Sequence, residues 1–334
     1  MIRKIGIVSS AVIITLAIIY LLGPKVEIPE LSTQLLNVSS NLIELEKSIL
    51  EKENALPIKP GNASQLVWAN DSVKEKTPYS LVYLHGFSAS PEEGNPVHRA
   101  FAKHFGMNLY IPRLYKHGLD TENTMLDFTA EGFIESAKEA IAVGQQIGDS
   151  VIVMSCSTGG TAALFIASGN PDIHSLILYS PNIDLYNTSS NLITMPWGLT
   201  LLKTINGGDT YTWQAHEEAQ KYWHTSYRIE SVVQMKGLLQ ATMKEEIFNK
   251  IHQPIFIGYY YKNEEEQDKT VSVKRMHEMY NQVSSPESKK RKVPFPNANT
   301  HGIQNIYFSN DYEGVLNATI LYAEEVLKLP PVAD

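Results

Sequence analysis

Val151-Ile-Val-Met-Ser155-Cys-Ser157-Thr-Gly159-Gly-Thr-Ala-Ala-Leu164 is the stretch on which the fold turns. Its four apolar residues, Val151 to Met154, read as a short buried strand, and Thr161 to Ser168 reads as an Ala-rich, mostly apolar helix. Between them lies Ser155-Cys156-Ser157-Thr158-Gly159, a small-x-Ser-x-Gly turn too tight for bulky side chains. A strained strand-to-helix turn of this kind lifts a serine clear of the backbone. Its usual first Gly is Ser155 here, one hydroxymethyl group larger, which adds strain without blocking the turn. Ser157 is therefore the candidate nucleophile. Ser155 in that role would be flanked by Val153 and Ser157, which is sterically worse, and Cys156 reads as a small apolar filler.

A serine that transfers acyl groups needs a His to take its proton, a carboxylate to orient that His, and two N–H groups facing the oxyanion. Upstream, His85-Gly86-Phe87 ends the apolar strand Ser80 to Leu84. Gly86 permits a bend there, and the backbone N–H of Phe87 is the candidate oxyanion donor beside that of Thr158. The His85 side chain reads as structural. Downstream, the strand Ile255 to Tyr261 runs into Lys262-Asn-Glu-Glu-Glu-Gln-Asp268-Lys-Thr-Val271, where Glu264, Glu265, Glu266 or Asp268 could be the acid. Asp268 is favoured because it lies just before Ser272, which can N-cap a helix, and Glu264 is next. The base is expected in a loop after the last strand, where His301 stands in Asn299-Thr300-His301-Gly302. His117 competes but lies upstream of the nucleophile and reads as loop-structuring.

Around this centre the chain from Gln65 alternates short apolar runs with helical segments, as a mostly parallel sheet with crossover helices does. About 70 residues between Pro181 and Pro254 interrupt the alternation and carry three of the four Trp. They read as a helical cap over 183–252 with its own core, lining an acyl pocket. At the other end, Ile5 to Leu22 carries no charge, and a helix of about 18 residues spans ~27 Å, close to a bilayer's apolar core. Arg3 and Lys4 precede it, and no Ala-x-Ala site follows. Residues 1–24 are expected to be an uncleaved transmembrane anchor, N-terminus in the cytoplasm and body outside on the periplasmic side. A cleaved signal with secretion is the alternative. Leu31, Leu35, Val38, Leu42, Leu45 and Ile49 alternate steps of four and three, which predicts an amphipathic stalk helix within 25–60, ahead of the catalytic unit at 61–334.

Composition bounds the partners. The 334 residues are 43% apolar and 19% charged, as in a globular protein with a real core, and the net charge of −8 argues against nucleic acid. The run Lys289 to Lys292 reads as a solvated loop. A single Cys excludes an internal disulfide, and no His/Cys/Asp spacing suggests a metal. No Gly-x-Gly-x-x-Gly suggests a dinucleotide, so no cofactor is expected.

Together these stretches resemble the α/β-hydrolase superfamily, and within it the bacterial carboxylesterase and monoacylglycerol-lipase-like serine hydrolases. The resemblance spans Gln65 to Leu327 and rests on Tyr83-Leu-His-Gly-Phe-Ser-Ala-Ser90, Arg113-Leu-Tyr-Lys-His-Gly118, Ser155-Cys-Ser-Thr-Gly159, Asp268-x-x-Val271 and Thr300-His-Gly302. It departs from the family at Ser155 and at Lys116, where a Gly-His-Gly loop would begin. The resemblance implies hydrolysis of carboxylic esters, often short acyl or monoacylglycerol esters, through an acyl-enzyme at Ser157 without a cofactor. Alternatives are a peptidase or amidase on the same fold, or a silent hydrolase-like protein binding a lipid or partner.

Overall fold

A computed structural model describes residues 2–332 of the chain, with side chains from Val12 onward. The chain begins with α1 (Ile2–Leu21), an extended stretch, and α2 (Leu42–Asn54). The sheet then builds through β1 (Gln65–Val67), β2 (Thr77–Leu84), α3 (Val97–His104), β3 (Asn108–Ile111), α4 (Ala130–Ile147), β4 (Gly148–Cys156), α5 (Thr158–Ala167) and β5 (Ile173–Tyr179). The cap region holds α6 (Gly198–Asn206), β6 (Thr210–Thr212), α7 (Glu217–Gln220) and β7 (Ser226–Arg228). After it come α8 (Ile229–Thr242), α9 (Glu245–Phe248), β8 (Ile255–Tyr259), α10 (Val273–Gln282), β9 (Lys290–Pro294) and α11 (Tyr312–Tyr322).

Seven strands form one sheet in the order β1-β3-β2-β4-β5-β8-β9, all parallel except β1, which runs antiparallel to β3. The central strands bury both faces, which explains their unbroken apolar runs. Val82, Val153, Leu178 and Ile257 meet α4, α5, α8 and α10 in one core. Tyr83, Met154, Ile177 and Phe256 meet α3 and α11 in the other. From β2 the chain steps outward to β3, and from β4 it steps the opposite way to β5. The order therefore reverses between β2 and β4, and their carboxyl ends open the crevice where such sheets bind ligands.

Three expectations change in the structure. The predicted stalk helix is helical only from Leu42 to Asn54, and residues 25–40 run extended along the body. Asn41 caps the helix by accepting from the amides of Ile43 and Glu44, and Ser32, Thr33, Ser39 and Ser40 before it favour non-helical backbone. Leu31, Leu35 and Val38 still reach the core, because an extended strap can place them there too. Second, the region 183–252 is not wholly helical. It holds an antiparallel β6–β7 pair with α7 between its strands, and its α8 also buries Met235, Leu238, Leu239 and Met243 in the main core. Third, Lys290 to Lys292 lie in the edge strand β9 rather than a loop. Lys290 meets Glu287 at 2.7 Å and Arg291 meets Glu325 at 2.8 Å, and charge on an edge strand discourages pairing with other chains.

The anchor expected over residues 1–24 falls in part on residues 1–11, whose side chains lie outside the described set. The backbone from Ile2 to Leu21 is helical, but among the described residues no helix is long and apolar enough to cross a membrane. The expected transmembrane span is therefore unsupported in the structure.

Candidate active site

Ser157 sits between β4 and α5 with φ 53° and ψ −122°, a conformation that a non-glycine residue holds only when its surroundings enforce it. Three backbone bonds do so: Ser157 N–H to the Tyr179 carbonyl (3.0 Å), and Gly160 and Asn182 N–H to the Ser157 carbonyl (2.9 Å each). Gly159 is required for a separate reason. A methyl there would overlap the Leu84 carbonyl oxygen, so α5 can start against β2 only without a side chain. Ser155 is fully buried in the ladder between Leu84 and Leu178, and its hydroxyl has no partner among the described residues.

The loop after β2 crosses directly beside the serine. A methyl on Gly86 would stand 2.9 Å from the Ser157 Cβ, which brings the next amide, that of Phe87, to the same corner as Thr158 at the start of α5. Neither amide donates to a described oxygen. The Phe87 ring is held away from that corner by edge contacts to Phe128 at 5.4 Å and to Tyr227 of the cap at 5.3 Å. The cap is also clasped to this loop by the His224 N–H, which donates to the Ser88 carbonyl at 2.7 Å.

Asp268 and His301 are brought together: His301 Nδ1 lies 2.6 Å from Asp268 Oδ2. The other carboxylate oxygen accepts from the amides of Thr270 (2.8 Å) and Val271 (3.2 Å), so the acid is buried and fixed. Burial alone would lower the His301 imidazole, but the charge and hydrogen bond of Asp268, with the charge of Glu93, raise it above its ordinary range. Its Nε2 is buried with no hydrogen-bond partner among the described residues. The base loop is tied to the end of β5 by Ser180, whose hydroxyl donates to the His301 carbonyl at 2.7 Å and which follows Tyr179, the acceptor of the Ser157 amide. Glu264 instead accepts from Tyr261 (3.0 Å), and Glu266 pairs with Lys262 (2.8 Å).

His117 is buried, bonded through Nδ1 to the Tyr115 carbonyl (2.8 Å), and lies 5.0 Å from the His85 ring. His85 accepts the Leu114 amide at 3.0 Å, and burial pushes it down to about 3, so it stays neutral. Burial pushes the Cys156 thiol well up, as suits a filler. One residue beside the site went unrecognised from the sequence. Glu93, in Ser90-Pro-Glu-Glu93, is buried with Oε2 accepting from the Gly86 amide (2.8 Å) and the Tyr83 hydroxyl (3.0 Å).

Strand order, elbow and crevice together define the chain as having the α/β-hydrolase fold. Comparison with known proteins agrees. A structure of the metagenome-derived lipolytic enzymes LipS and LipT superposes with TM-score 0.64 at 16% identity, covering 79% of this chain and 98% of the other. A monoacylglycerol lipase from Paleococcus ferrophilus gives 0.56 at 11%, covering 78% and 96%, and Est1E with ferulic acid from Butyrivibrio proteoclasticus gives 0.55 at 16%, covering 79% and 95%. In sequence the chain resembles a thermostable monoacylglycerol lipase of Bacillus sp. (strain H-257), 30% identical over 111 residues, 33% of this chain and 44% of that protein. The match thus spans less than half the length of that curated relative. No family model matches the chain.

Proposed function

We propose that this chain is a serine hydrolase that cleaves carboxylic esters, drawn from lipid-derived or short acyl substrates. The observation that carries this reading is the His301–Asp268 pair, whose Nε2 has no partner among the described residues, together with the strained Ser157 elbow. In this reading His301 Nε2 takes the Ser157 proton as Oγ attacks the ester carbonyl. The amides of Phe87 and Thr158 receive the oxyanion, and Asp268 stabilises the imidazolium that forms. His301 then returns the proton to the leaving alcohol, and water repeats the cycle on the acyl-enzyme. The lipase and esterase names among the similar proteins support the ester class, and the aromatic cap over the crevice supports an apolar acyl group.

The test is a panel of p-nitrophenyl esters from acetyl to palmitoyl, beside aminoacyl amides and a fluorophosphonate label. Ester turnover is expected, with Ser157→Ala lowering kcat on the order of 10⁶-fold. Turnover of the amides alone would favour the peptidase reading, and an unlabelled Ser157 would overturn both.

We also propose that α1 anchors the chain in a membrane with the catalytic body outside the cytoplasm. The exposed apolar run Val12 to Leu22 and the basic pair Arg3 and Lys4 support this. The full-length chain is expected in the membrane fraction after alkaline carbonate washing, and residues 25–334 in the supernatant. Release of the full-length chain by carbonate would count against the anchor.

A further inference from the structure

Glu93 and the nucleophile meet at Gly86. A methyl built on Gly86 would stand 2.9 Å from both Glu93 Oε1 and the Ser157 Cβ, so the carboxylate and the elbow face each other across the space a side chain would fill, at most twice that distance apart. The loop holding Glu93 is clamped by the segment that follows His301. Gln304 Nε2 donates to the Glu93 carbonyl (3.2 Å) and to the Tyr83 hydroxyl (3.1 Å), and Asn305 Nδ2 donates to the Glu93 carbonyl (3.0 Å). Glu93 therefore connects the end of β2 and the Gly86 loop through its carboxylate, and the base loop through its backbone carbonyl.

We propose that Glu93 is a positioning residue of this site: its carboxylate holds the Gly86 amide so that the Phe87 amide faces the oxyanion, and its charge stabilises the imidazolium of His301. This rests on the ester-hydrolysis reading. Burying a charge is costly unless it is paired and hydrogen-bonded, and Glu93 Oε2 accepts from two donors while Oε1 faces the elbow. Burial pushes Glu93 up to about 7, while the Gly86 amide, His301 and Tyr83 pull the other way, so a sizeable fraction is charged at neutral pH. The titratable groups around it are Tyr83 on β2, Cys156 at the end of β4, His98 on α3, and His301 with Asp268. Burial raises Tyr83 and Cys156 and lowers His98 to about 3, so all three stay neutral near pH 7. The cation left for Glu93 to meet is His301.

The test is Glu93→Gln, which keeps a carbonyl oxygen for the Gly86 amide and deletes the charge. Without that charge His301 holds its proton less tightly, so the acid limb of kcat/KM against pH for p-nitrophenyl acetate should move down by about one pH unit. The same loss at the imidazolium-bearing transition state should lower kcat by about tenfold with little change in KM. A folded Glu93→Gln variant whose pH profile superimposes on the parent's overturns the proposal, even if its Tm falls. Should that variant not fold, Tyr83→Phe removes one donor from the carboxylate, favours its neutral form, and should move the limb the same way by less; an unmoved limb there is equally fatal. An NMR titration of His301 in parent and variant reads the coupling without substrate. A chain inactive on every ester then refutes the ester reading, whereas an unshifted His301 refutes Glu93.

Discussion

Ser155 is where this site departs from a glycine-first elbow, and its surroundings show what the departure does. The side chain is enclosed between two neighbouring strands, and its hydroxyl is buried without a partner among the described residues. The elbow tolerates the extra group because its crowded contact, α5 against the end of β2, is made at Gly159 instead. An unsatisfied buried hydroxyl costs about 1–3 kcal/mol. Ser155→Ala removes that oxygen while keeping a Cβ for the strand, so it should raise Tm and leave kcat within about threefold on any ester the parent turns over. Thermal melts and a single-substrate assay check this; a clear drop in Tm would show that the hydroxyl contributes to the fold. Glu93 is the converse case. Its carboxylate is buried with Oε2 held by two donors, and nothing in Pro-Glu-Glu-Gly distinguishes it from the exposed acids of the chain.

At the scale of elements, what could be read ahead of the structure is what a local pattern determines. The strands beneath the site are apolar on both faces and bounded by turn residues, so β2, β4, β5 and β8 announce themselves. The turns that end them also carry the residues of the candidate site, and Asp268 with His301 could be picked by their order along the chain. What failed had two possible geometries for one pattern. Leu31, Leu35 and Val38 continue the spacing of Leu42, Leu45 and Ile49, yet an extended strap delivers them to the same core. Ser32-Thr33 and the Ser39-Ser-Asn41 signal that starts α2 are the local cues to that break. Within 183–252, α8 packs on α6 and also enters the main core through α4 and α5, which are distant in sequence and leave no local mark. The clasp between the cap and the oxyanion loop, His224 to Ser88 and Tyr227 to Phe87, likewise has no local signature.

The whole molecule carries an unusual load of neutral histidine. Burial pushes His85 and His98 down to about 3 and His224 to about 4, and it drives His117 well below its ordinary value. Each of these folded pKa values lies below the unfolded one of about 6.5, so each contributes stability that is present above that pH and lost as pH falls toward the folded value. Glu93 acts with the opposite sign. Its folded value of about 7 lies above the unfolded one, so it favours the fold at low pH and withdraws that support as pH rises toward 7. His301 is raised, so its contribution is complete below about 6.5 and is lost only above that range. Between pH 6.5 and 4.5 the four histidines outweigh the single acid, and unfolding should take up about three protons. Stability should therefore fall steeply as the solution is acidified through that window, well before the surface carboxylates titrate. Tm measured across it by calorimetry should drop at each step, and His98→Gln should reduce the proton uptake by about one. A Tm that stays flat from pH 6.5 to 4.5 would mean that these histidines take up protons in the folded chain, which the packing of His117 between the His85 and Phe87 rings argues against.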